Sequence, residues 1–326
     1  MSDAAPLLSV RDLRVHYAMR GTDQAVVKAV DGLSFDVPAG RTVALVGESG
    51  CGKSTTAYAI LGLEPLTSGS VRFEGRDITQ LDRVERRRLA DDIQIVLQDP
   101  SAALDPKMRV SDSIAEPLAI RGQRGAASRR RVAELLDLVG LTTAQGQRTP
   151  DALSGGQRQR VVIARALALT PKLVILDEPV SALDVSIRSQ VLNLLMQLQR
   201  DLGLAYLFIS HDLSVVSHIA DETIVMVLGT AVERGATAAL FEHPLHPYTQ
   251  ALLSAIPLAD PIAQRNRAKI ILSGDPPSPL ASMPGCAFAS RCPIREDRCA
   301  TLRPSLNATI TGTATACLVR APDDVS

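Results

Sequence analysis

Residues 47–55 read Gly47-Glu48-Ser49-Gly50-Cys51-Gly52-Lys53-Ser54-Thr55, which fits the pattern G-x-x-x-x-G-K-[ST]. A loop that wraps a triphosphate must bring backbone N–H groups close to phosphate oxygens, and glycine allows this approach because it has no Cβ. We therefore predict that Lys53 reaches the β- and γ-phosphates and that Ser54 contacts Mg²⁺. The apolar stretch 41–46 predicts a strand before the loop, and residues 54–63 predict a helix whose N-terminus faces the anion.

A second apolar stretch, Leu173–Leu176, is followed directly by the carboxylates Asp177 and Glu178. A continuous apolar run is typical of a parallel strand that is buried on both faces. Side chains at the C-terminal end of such a strand lie at the edge where open α/β sheets bind ligands. We predict that Asp177 holds the Mg²⁺ shell and that Glu178 polarises the attacking water. The alternative is an acidic pair at the start of a helix.

Further motifs follow in a fixed order along residues 8 to about 235. They are Tyr17 after an alternating strand (Leu8, Val10, Leu13, Val15), Gln98, Leu153-Ser154-Gly155-Gly156-Gln157, Ser181-Ala182-Leu183-Asp184 and His211. With the two motifs above, they make the chain resemble the nucleotide-binding subunit of an ATP-binding cassette (ABC) transporter, whose signature is LSGGQ. The resemblance implies an α/β fold: a P-loop NTPase core of ABC ATPase type, an antiparallel β subdomain and a helical subdomain at about 105–165.

The resemblance also implies a role for each motif. Tyr17 is expected to stack on adenine, Gln98 to touch the Mg²⁺ shell and the attacking water, and His211 to donate a hydrogen bond to the γ-phosphate. Taken alone, these three residues are more often a packing aromatic, a polar loop residue and a structural histidine. Mg²⁺ is expected at Ser54, Gln98 and Asp177, and catalysis at Glu178, His211 and Gln98. The expected nucleotide contacts are Tyr17, Gly47, Ser49, Gly50, Cys51, Gly52, Lys53, Ser54, Thr55, Gln98, Asp177, Ser154, Gly155, Gly156 and Gln157.

The signature predicts a second anion site on the same chain. Residues 155–169 form a helical pattern with Ser154 as its N-cap, and a helix start with unpaired N–H groups binds anions. The chain already has such a site at Lys53. In the family, Ser154 and Gly156 contact the γ-phosphate held by a partner subunit, so we expect a head-to-tail dimer, and a heterodimer with a second ABC ATPase.

Composition limits the classes of partner. The 326 residues carry 35 Lys+Arg against 35 Asp+Glu, so the electrostatic case for nucleic acid is absent. No apolar run of 18 residues and no secretory signal is visible in the sequence. These features, together with the resemblance, predict a peripheral subunit on the cytoplasmic face of the membrane. The expected partners are two membrane permease subunits and an extracytoplasmic solute-binding protein.

The cassette pattern is expected to occupy residues 1–235 and a C-terminal extension residues 236–326. Amphipathic helices are predicted at 112–120, 129–139 and 184–202, and the arginine-rich stretch 83–88 is interpreted as a solvated helix face. The extension resembles that of ABC ATPases in the oligopeptide/dipeptide/nickel permease branch, with His246-Pro247-Tyr248-Thr249 as its most specific short match. His243 and His246 are interpreted as capping and packing the turn before a helix at 250–256.

Cysteine usage marks the extension. Four of the five cysteines lie there: Cys286, Cys292, Cys299 and Cys317. In a cytosolic protein, clustered thiols in a Pro/Gly-rich segment suggest a metal site rather than disulfides. Their spacing differs from the paired C-x2-C of common zinc modules, which favours a four-iron four-sulfur cluster, as does a similar set in the related permease ATPases. A zinc site and free thiols remain as alternatives.

We expect an ATP-hydrolysing subunit of a bacterial ABC importer of dipeptides or oligopeptides. The alternative within this class is an ATPase subunit of a nickel or glutathione importer. A soluble ABC ATPase acting in DNA repair or translation is the alternative from another class, but tandem cassettes and long coiled-coil insertions are not visible. A non-catalytic regulatory cassette is disfavoured by the presence of Lys53, Asp177, Glu178 and His211.

Overall fold

The computed structural model describes residues 5–18, 26–257, 260, 265, 270–272, 274, 284–310 and 312–321. The Pro-rich stretch 276–279, noted in the sequence, lies outside the described residues. In chain order the strands are β1 (Leu8–Ala18), β2 (Val26–Val37), β3 (Thr42–Val46), β4 (Ser68–Phe73), β5 (Arg76–Asp77), β6 (Ile93–Val96), β7 (Leu173–Asp177), β8 (Ala205–Ser210), β9 (Glu222–Val227), β10 (Thr230–Ala236), β11 (Asn307–Ala308) and β12 (Ala314–Thr315).

The helices are interspersed with these strands. They are α1 (Lys53–Ile60), α2 (Arg83–Asp92), α3 (Pro100–Ala103), α4 (Val110–Ile120), α5 (Ala126–Leu138), α6 (Thr143–Gly146), α7 (Gly155–Ala166), α8 (Val185–Leu202), α9 (Leu213–Ile219), α10 (Thr237–Glu242) and α11 (Pro247–Ser254). Short 3₁₀ turns occur at Pro150–Ala152, Ala289–Arg291 and Asp297–Ala300. Among the described residues, the helices are all too short or too polar to cross a membrane.

The chain divides into two compact units that interleave in sequence. The first unit contains residues 1–7, 37–41 and 80–209, and the second contains residues 8–36, 42–79 and 210–326. The predicted phosphate loop and the C-terminal extension therefore belong to the second unit, and the carboxylate strand and the signature belong to the first. The boundary expected between residues 235 and 236 stays a prediction.

The first unit is built on three parallel strands. Strand β7 pairs with β6 on one side and β8 on the other, with Ile175 opposite Ile95 and Leu207. Every residue of β7 and β8 is buried, as expected for strands covered on both faces. The predicted helices are present as α4, α5 and α8. Helix α2 carries the arginine-rich stretch, and all its residues are half-buried or exposed, which confirms the interpretation as a solvated face.

The second unit contains an antiparallel sheet with the strand order β2-β1-β4-β5. The alternating residues of β1 are buried as predicted. Their alternation changes phase between Val10 and Leu13 because a bulge lies between Arg11 and Arg14. Strand β3 pairs with β9 in parallel, β9 pairs with β10 antiparallel, and β12 adds to β10. The extension thus returns to the cassette through β12.

Candidate nucleotide-binding site

The phosphate loop links β3 to α1 and is folded around the Lys53 side chain. Lys53 is buried, and its Nζ donates to the carbonyl oxygens of Gly47 (2.8 Å) and Glu48 (2.9 Å). The helix begins at Lys53, one residue earlier than predicted, and ends at Ile60. Its first turn, Lys53–Thr56, has no acidic side chain, so the positive end of the helix dipole is available to an anion.

Two glycines of the loop are required by close approaches of the backbone. A Cβ at Gly47 would collide with the carbonyl oxygen of Met226 in β9. Gly52 has φ +102°, and a Cβ there would collide with the carbonyl oxygen of Ala29 in β2. Larger residues would push the loop away from both strands, so the glycine pattern fixes the path of the loop.

Cys51 lies inside the loop and is buried. Its Sγ is 3.8 Å from the Lys53 Nζ, and burial raises the pKa of the thiol. A neutral, small side chain therefore occupies this position, as the sequence suggested. The remaining loop side chains are half-buried or exposed: Glu48, Ser49, Ser54 and Thr55.

Tyr17 lies near the end of β1 and keeps 37% of its surface exposed. Its hydroxyl hydrogen-bonds with Glu64 and Thr55, and burial, followed by the Glu64 carboxylate, raises its pKa. The contact with Thr55 brings the ring beside α1, the helix that begins in the phosphate loop. This position is compatible with stacking on adenine, which stays a prediction.

The carboxylates follow β7 as predicted, with Asp177 buried at the strand's last position. The side chain of Gln98 donates from Nε2 to Oε2 of Glu178 across 3.1 Å. The two residues predicted to act on the attacking water are therefore in direct contact, although 80 positions separate them.

The backbone of Glu178 is in the left-handed region, with φ 48°. Its N–H donates to the carbonyl oxygen of Ile209 (3.0 Å), and its carbonyl oxygen accepts from the backbone N–H (3.2 Å) and the hydroxyl (3.0 Å) of Ser181. Residues held in such conformations cluster at active sites. The alternative of an ordinary helix-start acidic pair does not account for this geometry, because the next helix, α8, begins only at Val185.

The signature forms the start of α7. Ser154 accepts from the Gln157 N–H (3.3 Å), and the Gln157 side chain accepts from the Ser154 N–H (3.0 Å). This capping box confirms Ser154 as the N-cap. Ser154 and Gly155 are exposed, whereas a Cβ at Gly156 would collide with the Ile187 side chain of α8. An uncharged helix start therefore faces solvent, as an anion site for a partner requires.

His211 follows β8 and is exposed. The neighbouring Asp212 begins α9 by accepting from the Ser214 N–H at 2.9 Å. His211 belongs to the second unit and the carboxylates to the first. Its predicted contact with the γ-phosphate stays a prediction.

Sequence reasoning missed two residues that contact the phosphate loop. The Tyr248 hydroxyl accepts from the Glu48 N–H at 3.0 Å. Arg291 forms two hydrogen bonds, each 2.9 Å, with the Glu48 carboxylate. Tyr248 lies in the His-Pro-Tyr-Thr motif of the extension, but no periodicity or spacing connects that motif with position 48.

His246 caps α11, which confirms its structural interpretation. Its Nδ1 accepts from the Tyr248 N–H at 3.2 Å, and burial lowers its pKa to about 3. The buried carboxylate of Glu233 accepts from the N–H groups of Leu245 (2.7 Å) and His246 (3.1 Å). His243 behaves differently from the expectation: it ends α10, and its side chain is exposed beside Glu242.

The four cysteines of the extension are near neighbours. Cys299 and Cys317 are buried, Cys286 and Cys292 are half-buried, and the Cys286 N–H donates to the Cys299 carbonyl oxygen at 2.9 Å. Burial, with a smaller contribution from the other three thiols, raises the pKa of Cys286 to about 11. In the part of the chain that the structure describes, no three metal-binding side chains stand in an arrangement that could hold a metal ion.

Comparisons with known proteins agree with these features. A family model described as "ABC transporter" matches residues 30–181, and a second, "Oligopeptide/dipeptide transporter, C-terminal region", matches residues 232–299. The chain is 49% identical to the dipeptide transport ATP-binding protein DppF of Escherichia coli K12, over 92% of this chain and 91% of that protein. It is 48% identical to the oligopeptide transport ATP-binding protein OppF of Salmonella typhimurium, over 92% of each chain.

Solved structures give the same result. The ATP-binding cassette MJ0796, determined as a dimer in a post-hydrolysis state with ADP and Pi, is 28% identical, with a TM-score of 0.63 over 71% of this chain and 98% of that chain. The protein cbiO1 of Clostridium perfringens, part of the ABC transporter complex cbiONQ, is also 28% identical. Its TM-score is 0.65 over 73% of this chain and 91% of that chain. The ABC ATPase fold expected from the motifs is therefore confirmed.

Proposed function

Because this chain belongs to the ABC transporter ATP-binding proteins, in the oligopeptide/dipeptide branch, we propose that it is the ATP-hydrolysing subunit of a bacterial importer of dipeptides or oligopeptides. The observation that carries the hydrolytic role is the 3.1 Å hydrogen bond between Gln98 and Glu178. The class of solute is supported by similarity to DppF and OppF along 92% of the chain.

The phosphate loop and the carboxylate strand have different roles in ATP hydrolysis. Lys53 exchanges its two carbonyl partners for the β- and γ-phosphates, and the N–H groups at the start of α1 hold the phosphate oxygens. Ser54, Asp177 and Gln98 are the residues that would hold Mg²⁺, which would neutralise charge on the phosphates. The start of α1 suits an anion, because its first turn carries no acidic side chain. Glu178 removes a proton from the attacking water, and His211 donates to the γ-phosphate.

The signature completes the site of a second ATPase subunit. The start of α7, with Ser154, Gly155, Gly156 and Gln157, binds the γ-phosphate held by the partner's phosphate loop. The dimeric state of the similar cassette MJ0796 supports this arrangement. The partner is a different ABC ATPase, because Gln157 and residues 98–106 resemble the second of the two ATPases that such permeases encode.

The composite site is tested by Ser154→Arg in the assembled transporter. The long, positively charged arginine side chain blocks the start of α7, so hydrolysis of the nucleotide bound to the partner is expected to stop. ATP binding at this chain's own Lys53 is expected to persist, as measured with a photoreactive ATP analogue. Equal loss of binding at both sites would contradict the head-to-tail geometry.

We propose that a permease subunit docks at a cleft in the first unit. Its volume is about 390 Å³, and it lies between β6, α4 and α7. Its walls combine apolar side chains (Ile95, Leu97 and Ile120) with the charged Arg87, Glu116 and Arg121. The transporter has two permease subunits, and a short amphipathic helix of the one that docks here fits such a mixed surface. This docking places the subunit on the cytoplasmic face of the membrane, with a solute-binding protein on the opposite side.

The solute is tested by uptake into proteoliposomes that contain the complete transporter. The chain is purified with the permease and second ATPase subunits encoded beside it, and the solute-binding protein is added on the outside. ATP inside the vesicles is expected to drive uptake of labelled dipeptide or oligopeptide, and Lys53→Ala is expected to abolish it. Uptake of nickel or of glutathione in place of peptides would select those alternatives. Failure to purify with any permease would favour a soluble ABC ATPase of DNA repair or translation.

The four cysteines are proposed to hold a four-iron four-sulfur cluster. The support is that the four thiols are neighbours: after burial, the thiols of Cys299 and Cys317 are among the causes that raise the pKa of both Cys286 and Cys292. A metal centre binds such grouped thiols in their deprotonated form. Such a cluster would stabilise the extension or respond to oxidants, because the ATP chemistry does not require it. Zinc in the same thiols is the alternative.

The cluster is tested by purification without oxygen. The protein is expected to be brown, with broad absorption near ~400 nm, and to contain iron and sulfide in amounts that fall in Cys292→Ser. Cys51→Ser is the matched control, because Cys51 lies in the phosphate loop. A colourless protein with stoichiometric zinc would replace the cluster with a zinc site, and a protein without either metal would leave free thiols.

A further inference from the structure

Glu48, in the phosphate loop, is held on three sides. Its N–H donates to the Tyr248 hydroxyl (3.0 Å), its carbonyl oxygen accepts from the Lys53 Nζ (2.9 Å), and its carboxylate accepts two hydrogen bonds from Arg291 (2.9 Å each). All four residues belong to the second unit. Two of the three constraints therefore come from the C-terminal extension.

Arg291 is rigidly placed. Only 5% of its side chain is exposed, and its guanidinium lies over the rings of Phe288 (5.6 Å) and Tyr248 (6.0 Å). The Tyr248 ring itself packs against Phe288 at 5.3 Å. Parallel hydrogen bonds between Arg and a carboxylate fix orientation as well as distance, and a buried charge strongly resists the loss of its partner. The aromatic pair and the ion pair together form one bracket around Glu48.

The bracket acts on the groups that meet phosphate. The same Glu48 carbonyl oxygen that accepts from Lys53 belongs to the residue whose N–H and carboxylate are fixed by Tyr248 and Arg291. A shift of Glu48 moves the resting position of the Lys53 Nζ and the path of the loop. Sites that bind or transform a ligand need their groups held within about 0.5 Å of the productive geometry. The loop is therefore pre-shaped before a nucleotide arrives.

We propose that Tyr248 and Arg291 position the phosphate loop for ATP binding, and that the C-terminal extension thereby contributes to the nucleotide site. The proposal rests on the proposed ATPase function. Neither residue touches the nucleotide; each acts through Glu48. Loss of either side chain leaves the chemistry of Glu178 and Gln98 intact and weakens the binding of the phosphates by the loop.

The test uses steady-state ATP hydrolysis by the assembled transporter. Tyr248→Phe and Arg291→Met are expected to raise KM for ATP on the order of tenfold, since small misplacements of binding groups have effects of this size or larger. The change in kcat is expected to be much smaller, because the loop contacts phosphate both in bound ATP and in the transition state. Arg291→Lys is expected to recover part of the loss, as it keeps the charge without the paired geometry.

Arg303→Met is the matched control. Arg303 also joins the extension to the rest of the second unit, through the Asp31 carboxylate (2.7 Å) and carbonyl oxygen (2.7 Å), but it does not contact the loop. KM for ATP is expected to stay unchanged in this variant. An equal rise of KM in Arg303→Met would overturn the proposal, because general attachment of the extension would then explain the effect.

A double mutant separates action through Glu48 from other actions. Arg291→Met is expected to add no further increase in KM when Glu48 is already Ala, whereas additive effects would overturn the proposal. If the Arg291→Met variant does not fold, the proposal is tested with Tyr248→Phe alone, because that substitution removes only a single oxygen atom. An unchanged KM in Tyr248→Phe would then reject the bracket. Failure of the proposed function would give a different result from failure of this proposal. In that case the Lys53→Ala variant would hydrolyse ATP at the same rate as the unmodified chain.

Discussion

Glu178 combines two properties in one residue: a carboxylate in contact with Gln98 and a backbone in the left-handed region. A non-glycine residue with this backbone costs about 1–2 kcal/mol. The bonds to Ile209 and Ser181 hold it there. The residue that contacts Gln98 through its carboxylate therefore also has a strained backbone.

Glu178→Gln is expected to reduce ATP hydrolysis by at least ~100-fold, the usual effect of losing a general base. ATP binding is expected to remain, because the glutamine oxygen still accepts from Gln98. Phosphate release by the assembled transporter measures the first effect, and gel filtration with ATP detects a trapped dimer. Glu134→Gln, an exposed carboxylate of α5 beside Arg131, is the control. Hydrolysis at the normal rate in Glu178→Gln would remove Glu178 from this role.

The strain itself is measurable at the same position. Glu178→Gly is expected to be more stable than Glu178→Ala by about 1 kcal/mol, because glycine adopts positive φ without a Cβ penalty. Urea unfolding of the two variants gives the difference. The same pair at Glu134, inside α5, is expected to show the opposite order, with alanine more stable by roughly 0.5–1 kcal/mol. The same order at both positions would rule out the strain.

At the scale of elements, α11 begins in a way that the sequence pattern only partly predicted. The helix was expected at 250–256, but it starts at Pro247, where the fixed φ of proline suits the first helical position. His246 supplies the cap as a neutral acceptor. By contrast, the start of α7 at Gly155 was predicted correctly, because the Ser154 and Gln157 pair is a local signal that needs no distant partner.

The neutral cap gives the protein a specific pH dependence. The folded chain keeps His246 unprotonated down to about pH 3, whereas the unfolded chain takes up the proton near pH 6.5. The unfolded state therefore binds more protons between these values, and the free energy of unfolding falls as the pH is lowered, by about 1.4 kcal/mol for each pH unit.

His246→Asn tests this dependence, because asparagine caps helices without titrating. Denaturant unfolding between pH 7 and pH 5 is expected to show a smaller loss of stability in the variant than in the unmodified chain. Burial raises the pKa of the neighbouring Glu233 and gives a contribution of the opposite sign. Both proteins share that contribution, so the difference between them isolates His246. Parallel curves would show that His246 is not the titrating group.

At the scale of the whole molecule, the extension is continuous with the core of the second unit. Tyr248 and Phe288 are each 1% exposed and share a cluster with Val225, Val227 and Val232 of β9 and β10. The sequence suggested a Pro/Gly-rich extension with a metal site. The structure adds an apolar anchor made of two large aromatic side chains.

A chain that ends at Gly235 is therefore expected to lose much of its stability. Removing one buried aromatic side chain costs about 3–5 kcal/mol, and a whole domain is stable by about 5–15 kcal/mol. Thermal unfolding of the truncated chain is expected far below that of the full chain, with Phe288→Leu between them. An unchanged transition in the truncated chain would show that the extension is an independent domain, as the boundary expected at 235/236 allows.

Sequence reasoning predicted the local structure correctly where a motif has a short fixed pattern, and it missed contacts that depend on the tertiary fold. The phosphate loop, the carboxylate strand and the signature are short and contain glycine, lysine or carboxylates at fixed spacing. Arg291 gave no such signal: it is one arginine among many charged residues, and only the path of the chain brings it to Glu48. The pairing of Arg303 with Asp31 was missed for the same reason.

The bracket around Glu48 also has a consequence for the order of events during synthesis. Glu48 is separated from Tyr248 by 200 residues and from Arg291 by 243. At about 5–20 residues per second, a ribosome needs roughly 10–50 s to make the intervening chain. Throughout that interval the loop exists without its supports, and contacts so distant in sequence form late in folding. If the bracket positions the loop as proposed, a newly made chain acquires its full affinity for ATP only near the end of translation.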